Sequence, residues 1–175
     1  MKIYDSANNE LGSLRPGHPK DDIHLLALAE ATDLSSFGDP HWNPANFIDF
    51  QWPQFKAGQS NRIDLVIDAK EWGLIGTCCL HRLDWRNRNA SIGITIYEED
   101  KRNQGIGTAT LVALQTWATE TLAMKRLEAY ILTDNKPSIR LFEKCEFKYE
   151  GRLRKRYLRK GELIDVLVYG WLVDE

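Results

Sequence analysis

ASIGITIYEEDKRNQGIGTATLVALQTWATETL, residues 90–122, holds two periodicities joined by a pair of glycines. From Ala90 to Tyr97 the apolar residues alternate through Ile92, Ile94 and Ile96, the period of a strand with one buried face. From Gly105 to Leu122 the spacing becomes helical, and Ile106, Ala109, Ala113 and Trp117 are predicted on one face. Between them run Lys101, Arg102, Asn103 and Gln104, then Gly105-Ile106-Gly107. Glycine costs a helix about 1 kcal/mol relative to alanine. Two glycines at a helix start therefore imply a close approach to the backbone. A helix N-terminus presents unpaired amides and the positive end of its dipole, which suit a phosphate. Glycine lets a phosphate reach those amides without meeting a Cβ, and Arg102 would add a charge-assisted bond. One reading is thus a phosphate cradle; the other is a helix start with two flexible glycines. Two familiar cradles fail. Thr110 stands where a dinucleotide fingerprint needs glycine. Thr108 and Ala109 follow Gly107 where a Walker A loop needs lysine and a hydroxyl residue.

Outward from this stretch the alternation continues. A short strand is predicted at Leu11–Arg15, ended by Pro16, and a helix at Asp21–Glu30. Arg62–Asp68 alternates through Ile63, Leu65 and Ile67, Trp72–Leu80 reads as the next strand, and DWRNRN at Asp84–Asn89 is a polar turn. Beyond the long helix come a strand at Arg126–Leu132 and a short helix with Pro137 in its first turn, capped by Asp134 or Asn135. Phe147–Tyr157 and Glu162–Leu172 flank Arg159-Lys160-Gly161 as a hairpin. This order implies one domain of the α/β (α+β) class, with a mixed, mostly antiparallel twisted sheet flanked by helices. Phe37, Trp42, Phe47, Phe50, Trp52 and Phe55 crowd the stretch Ser35–Phe55, which reads as core filling or as the wall of a substrate pocket.

The bulk properties exclude several classes. At 175 residues the chain can bury a sizeable core, and a net charge of −2 makes it no general polyanion binder. MKIYDSANNELG is too polar for a signal peptide. No apolar run approaches the ~20 residues of a membrane span, and the longest, Leu163–Leu172, contains Asp165. Cys78, Cys79 and Cys145 make a poor disulfide framework and point to a reducing, cytoplasmic setting. Without CxxC or HxxxH spacing no metal site is expected.

Arg102-Asn-Gln-Gly105-Ile-Gly107 resembles the Gln/Arg-x-x-Gly-x-Gly/Ala signature of the GNAT superfamily of N-acetyltransferases. Downstream, TDNKPSIRLFEKCEF is similar to that family's Asn-x-x-Ser-x-x-Leu-Tyr-x-Lys-x-Gly-Phe segment through Asn135, Ser138, Leu141, Lys144 and Phe147. The tail YEGRLRKRYLRKGELIDVLVYGWL resembles the ribosomal-protein and spermidine acetyltransferase branch. The resemblance runs from about Ile63 to the end. It implies acetyl-CoA as cosubstrate, with the amides of Gln104, Gly105, Ile106, Gly107 and Thr108 on its pyrophosphate. The edge at Ile94, Thr95 and Ile96 would splay from its neighbour and pair with the pantetheine arm, and Asn135 and Ser138 would lie near the thiol. Two positions depart from the family: Phe142 replaces a tyrosine taken as the general acid, and Glu146 replaces a glycine.

The implied reaction is direct attack of an amine on a thioester. Freeing a lysine-type amine at pH 7 costs roughly 4.6 kcal/mol, an α-amine only about 1 kcal/mol. A site without a strong base thus suits an α-amine, on a small molecule or a peptide, ahead of a polyamine or aminoglycoside. Ser138 and Tyr157 are the candidate catalytic residues, with Asp39 and His41 candidates to meet a cationic amine. Arg152, Arg154, Lys155, Arg156, Arg159 and Lys160 form a basic run read as a solvated face or as an RNA contact. A homodimer and a non-catalytic CoA- or RNA-binding module are left open.

Overall fold

Among the described residues, eight strands form one sheet with helices on both faces. A computed structural model describes residues 1–18, 20–31 and 58–174. The aromatic stretch Ser35–Phe55, with Asp39 and His41, lies outside the described residues. The strands are β1 (Lys2–Tyr4), β2 (Glu10–Pro16), β3 (Arg62–Ala69), β4 (Gly73–Asp84), β5 (Asn89–Ile96), β6 (Arg126–Leu132), β7 (Lys148–Arg159) and β8 (Glu162–Leu172). The helices are α1 (Asp21–Ala31), α2 (Ile106–Glu120) and α3 (Lys136–Lys144). The sheet order is β1-β2-β3-β4-β5-β6-β8-β7. Every pairing is antiparallel except β5 with β6, and α2 makes the crossover that a parallel pair requires.

Alternation sorts the side chains between the two faces. Ala90 and Ile92 of β5, Leu127, Ala129 and Ile131 of β6 and Tyr169 of β8 pack with Ile106, Leu111, Leu114 and Ala118 of α2 and Phe142 of α3. On the other face Leu25 of α1 packs with Val66, Leu74 and Tyr97. The buried stripe of α2 differs from the expected one. Leu111 and Leu114 are fully buried, whereas Ala113 and Trp117 sit at the margin of the core, because the helix packs through a neighbouring stripe. β1 had no forecast, since three residues are too few to show a period, yet its Ile3 is fully buried.

One irregularity positions everything that follows. β5 pairs with β4 as far as Ile96, but with β6 only at Asn89↔Arg126, Ala90↔Leu127 and Ser91↔Glu128. β6 runs on to Leu132, hydrogen-bonded along its length to β8. Past Ser91 and Glu128 the sheet therefore forks.

The end of α3 explains both departures from the family pattern. The amide of Phe147 donates to the Phe142 carbonyl at 3.0 Å and that of Glu146 to the Glu143 carbonyl at 3.1 Å. This is a Schellman turn, which demands a left-handed residue after the cap, and Glu146 sits there with φ 68°. The turn also wants an apolar contact between the residues its long bond joins. Phe142 and Phe147 supply it edge to face, with ring centroids 4.9 Å apart. Phe142 is buried in the core. Replacing Glu146 with Gly should remove the left-handed strain and stabilise the protein by about 1 kcal/mol, raising Tm by about 3 °C for a chain of this size. Thermal unfolding measures this, and an unchanged or lower Tm would contradict it.

Candidate active site

At the wide end of the fork lie the last residues of β5, the loop after it and the first turn of α2. Glu99–Lys101 makes one 3₁₀ turn. Asn103, φ 60°, and Gly105, φ 84°, both adopt left-handed backbone, which asparagine and glycine tolerate best. Gly105 is the N-cap of α2 and has no side chain to cap it. The Ala109 amide donates to the Gly105 carbonyl at 3.0 Å. The amides of Ile106, Gly107 and Thr108 precede that first helical bond, as in any helix start.

The two glycines differ. Among the described residues a Cβ built on Gly105 would meet nothing within 4 Å. A Cβ on Gly107 would lie 3.4 Å from Leu141 Cδ2 and 3.8 Å from Ile96 Cδ1. Gly107 thus starts α2 beside α3 and β5, where a Cβ would make ordinary contact and only a larger side chain would crowd Leu141, a packing limit that was missing from the sequence reading.

Arg102 also departs from its expected role as a phosphate ligand. Its Nε donates to the Ile96 carbonyl at 3.0 Å and its Nη2 to the Tyr97 carbonyl at 2.7 Å. Nη1 lies 3.4 Å from Glu99 Oε1. Carbonyls at a strand end need donors, and the guanidinium meets them from within the loop. Gln104 likewise turns back, its Nε2 donating to the Asp100 carbonyl at 3.3 Å.

Along the fork, Ile94 and Ile96 are half-buried against the core on the α2 side. Thr95 points to the other face. Across from them α3 begins with Asn135 as its cap, whose Oδ1 accepts from the Ser138 amide at 3.2 Å. Asn135 thus resolves the choice of cap left open above. Ser138 is half-buried one turn from Leu141, on the α2 side of the sheet.

Tyr157 lies elsewhere. It pairs with Ile164 on β7, at the edge of the sheet, after a bulge between Leu153 and Tyr157. Leu167, Trp171 and Tyr169 of β8 face α2, so Ile164 and Tyr157 belong to the opposite face. The two catalytic candidates are thus on different faces, and the hydrogen bonds among the described residues do not join them. An ion pair between Arg159 and Asp134 ties the hairpin to the start of α3, with Nη1 3.3 Å from Oδ1. Arg159 holds the Asp134 carboxyl below the usual carboxylate range. Arg152 pairs with Asp165, so two of the six basic residues in this run face carboxylates.

A further cluster escaped the sequence reading. β6 reads RLEAYIL, and its second face carries Arg126, Glu128 and Tyr130. Tyr130 Oη donates to Glu128 Oε2 at 3.0 Å, and Arg126 Nε to Glu128 Oε1 at 2.9 Å. Arg126 also grips Glu150, with Nη1 2.7 Å from Oε1. Partial burial, with the Glu128 carboxylate next to it, pushes the Tyr130 phenol up. The guanidinium of Arg82 lies 5.0 Å over the Tyr130 ring. The polar alternation of RLEAYIL was a usable signal, but nothing in it showed that the fork opens beside Tyr130.

The cysteines are free. Burial pushes the Cys78 thiol well up, away from a thiolate nucleophile. Among the described residues no helix is long and apolar enough to cross a membrane.

Comparison with known proteins bears on this geometry. Residues 13–148 match the family described as Acetyltransferase (GNAT) domain. The uncharacterized N-acetyltransferase p20 of Bacillus licheniformis is 33% identical over 120 residues, 67% of this chain and 65% of p20. This chain therefore spans just under two thirds of that relative's length. The L-amino acid N-acetyltransferase AaaT of Escherichia coli K12 is 30% identical over 152 residues, 81% of this chain and 93% of AaaT. The crystal structure of a probable acetyltransferase superposes with a TM-score of 0.83 at 27% identity, covering 94% of both chains.

The glycine geometry makes a paired forecast. Gly105→Ala should lose about 1–2 kcal/mol to left-handed strain. Gly107→Ala, which meets only ordinary van der Waals contact, should stay within about 0.5 kcal/mol of the parent, while Gly107→Val should lose about 1–3 kcal/mol by overpacking. Denaturant titration of the three variants checks the order. If Gly107→Val were as stable as Gly107→Ala, the packing account of that glycine would be wrong.

Proposed function

The chain belongs to the GNAT acetyltransferase family, and on that premise we propose that it transfers the acetyl group of acetyl-CoA to a primary amine by direct attack in a ternary complex. The observation that carries this reading is the fork. It sets the β6-facing edge of β5 at Ile92–Ile96, unpaired among the described residues, beside an uncapped helix start whose leading glycine is left-handed and meets none of the described residues. The amides of Gln104, Gly105, Ile106, Gly107 and Thr108 would hold the pyrophosphate, assisted by the helix dipole. The free edge of β5 at Ile94, Thr95 and Ile96 would hold the pantetheine arm as an added strand. Acetyl-CoA bound there supplies the thioester, and a β5 amide near Gly93 would donate to the oxyanion.

Arg102 serves this site by holding its loop rather than by touching phosphate, since its donors are turned to Ile96 and Tyr97. Asn135 fixes the first turn of α3, and Ser138 would orient the leaving thiolate or pass it a proton through water. Phe142, committed to the turn at the end of α3, has no proton to give. Tyr157 is the second proton candidate, from the opposite face. Ser138→Ala and Tyr157→Phe should each lower kcat by about 10-fold or more, with acetyl-CoA affinity by calorimetry nearly unchanged. A double variant retaining full kcat would remove both residues from proton transfer.

The acceptor of this reading is an α-amine, on a small molecule or a peptide. The similarity to a protein named for L-amino acid acetylation supports it. So does the energetics: with no strong base assigned among the described residues of the fork, an α-amine near its own pKa loses its proton at little cost. Thiol release measured across amino acids, peptides, polyamines and aminoglycosides tests the assignment. With the favoured acceptor, kcat/KM should rise with pH through an apparent pKa of about 7.5–8. Spermidine outpacing every α-amine would overturn the acceptor class while leaving acetyl transfer intact.

A further inference from the structure

We propose that Arg82 is an acceptor-binding residue that selects an amine carrying a free carboxylate, such as a free α-amino acid, over one whose carboxyl is blocked. This rests on the reading of the fork as the acetyl-transfer site.

The argument starts with where Arg82 is. β4 breaks register between His81 and Asp84, and Arg82 sits in that bulge with φ 52°. Bulges re-aim side chains, and a left-handed non-glycine residue carries a backbone cost that the surrounding fold must hold in place. Here the result is a guanidinium that crosses β5 to stand over Tyr130 of β6. His81 pairs with Ser91, and Ser91 with Glu128 is the last β5–β6 pair. Tyr130 is the next residue of β6 on the same face. The Arg82–Tyr130 stack therefore spans the root of the fork, on the face opposite α2. The pyrophosphate cradle lies at the far end of β5, so an arm laid along Ile96–Ile94 carries its thioester toward that root. An acceptor entering from the opposite face arrives at Arg82.

The second step concerns what Arg82 offers. The guanidinium over the ring also reaches the Tyr130 hydroxyl, and its remaining in-plane donors suit a bidentate carboxylate. Neighbouring cations are already committed. Arg62 pairs with Asp64, and Arg126 with Glu128 and Glu150. Among the described residues no ion pair or hydrogen bond joins Arg82 to a carboxylate. The ring beneath it is fixed: Tyr130 Oη is held by Glu128, which is held by Arg126. A donor fork is thus preorganised at the place where the acceptor's α-substituents must lie. The carboxylate of an α-amino acid is two bonds from its amine nitrogen, short enough for one end to face the thioester and the other Arg82.

The test compares L-amino acids with their carboxamides as acceptors of the full-length enzyme, by thiol release at saturating acetyl-CoA. The parent should favour the acids in kcat/KM by about 10-fold or more, the size expected of a charge-assisted pair. Arg82→Gln should lower kcat/KM for the acids by about the same factor, through KM, and leave the amides within about 2-fold. Arg82→Lys should recover part of the loss. Tm and acetyl-CoA affinity should match the parent, which separates this result from a folding defect. Equal use of acids and amides by the parent, or an equal fall for both in Arg82→Gln, would overturn the proposal and leave the acetyltransferase reading standing. Absence of turnover with every amine would overturn both.

Discussion

Everything at the site depends on two strands that stop pairing. β5 and β6 are held together by three residue pairs and then part, although each stays fully bonded to its other neighbour, β4 or β8. A sheet interior normally leaves no backbone group free, because an unmet donor or acceptor in a buried place costs free energy comparable to a lost hydrogen bond. Among the described residues the fork leaves the β6-facing edge of Ile92–Ile96 without a strand partner, with Arg102 meeting the Ile96 carbonyl at its end. It creates a slot with a polar strand edge on one side. The start of α2 closes the slot at its wide end, and its three leading amides have no capping side chain. Backbone geometry, more than any single side chain, makes this a place for an extended ligand with an anionic end.

The side chains around the slot mostly keep its shape. Arg102 holds the carbonyls of Ile96 and Tyr97, Asn135 closes the first turn of α3, and Gly107 lets α2 start against Leu141 and Ile96. Phe142 and Phe147 lock the other end of α3. This division has a chemical consequence. A family position that elsewhere carries a hydroxyl is spent here on packing, so Phe142 has no proton to give, and the proposed reaction assigns proton transfer to groups such as Ser138 or to water. A modest demand for base catalysis fits an acceptor that gives up its proton easily near neutral pH.

The opposite face has a different character. Arg126, Glu128, Tyr130 and Glu150 form a continuous hydrogen-bonded chain, and Arg82 completes it by stacking on Tyr130. Each member limits the freedom of the next, from the half-buried Arg126, Glu128 and Tyr130 to the exposed Glu150 and Arg82. Restraint of this kind favours recognition, because less entropy remains to be lost when a ligand arrives.

Local patterning was enough to read most of the fold. The alternation of Ile92, Ile94 and Ile96 and the hairpin around Gly161 depend on neighbours a few residues apart, which the sequence displays directly. The glycine start of α2 was legible for the same reason, since the left-handed backbone of Gly105, φ 84°, favours glycine wherever the chain goes next. Glu146 was visible as an anomaly before its left-handed backbone was known. The remaining features were set by contacts between distant segments. Which stripe of α2 is buried depends on the angle at which it meets the sheet, and that moved Ala113 and Trp117 to the margin. Arg102 was free to point at a ligand or at Ile96 until the loop brought two bare carbonyls within its reach. Tyr157 and Ser138 fell on opposite faces because Tyr157 pairs with Ile164 of β8 after a bulge, a register that no run of residues announces. The stack of Arg82 on Tyr130 joins side chains 48 positions apart across an intervening strand. A single sequence records each residue's own preference, while a partner at that range is chosen only when the whole sheet is assembled.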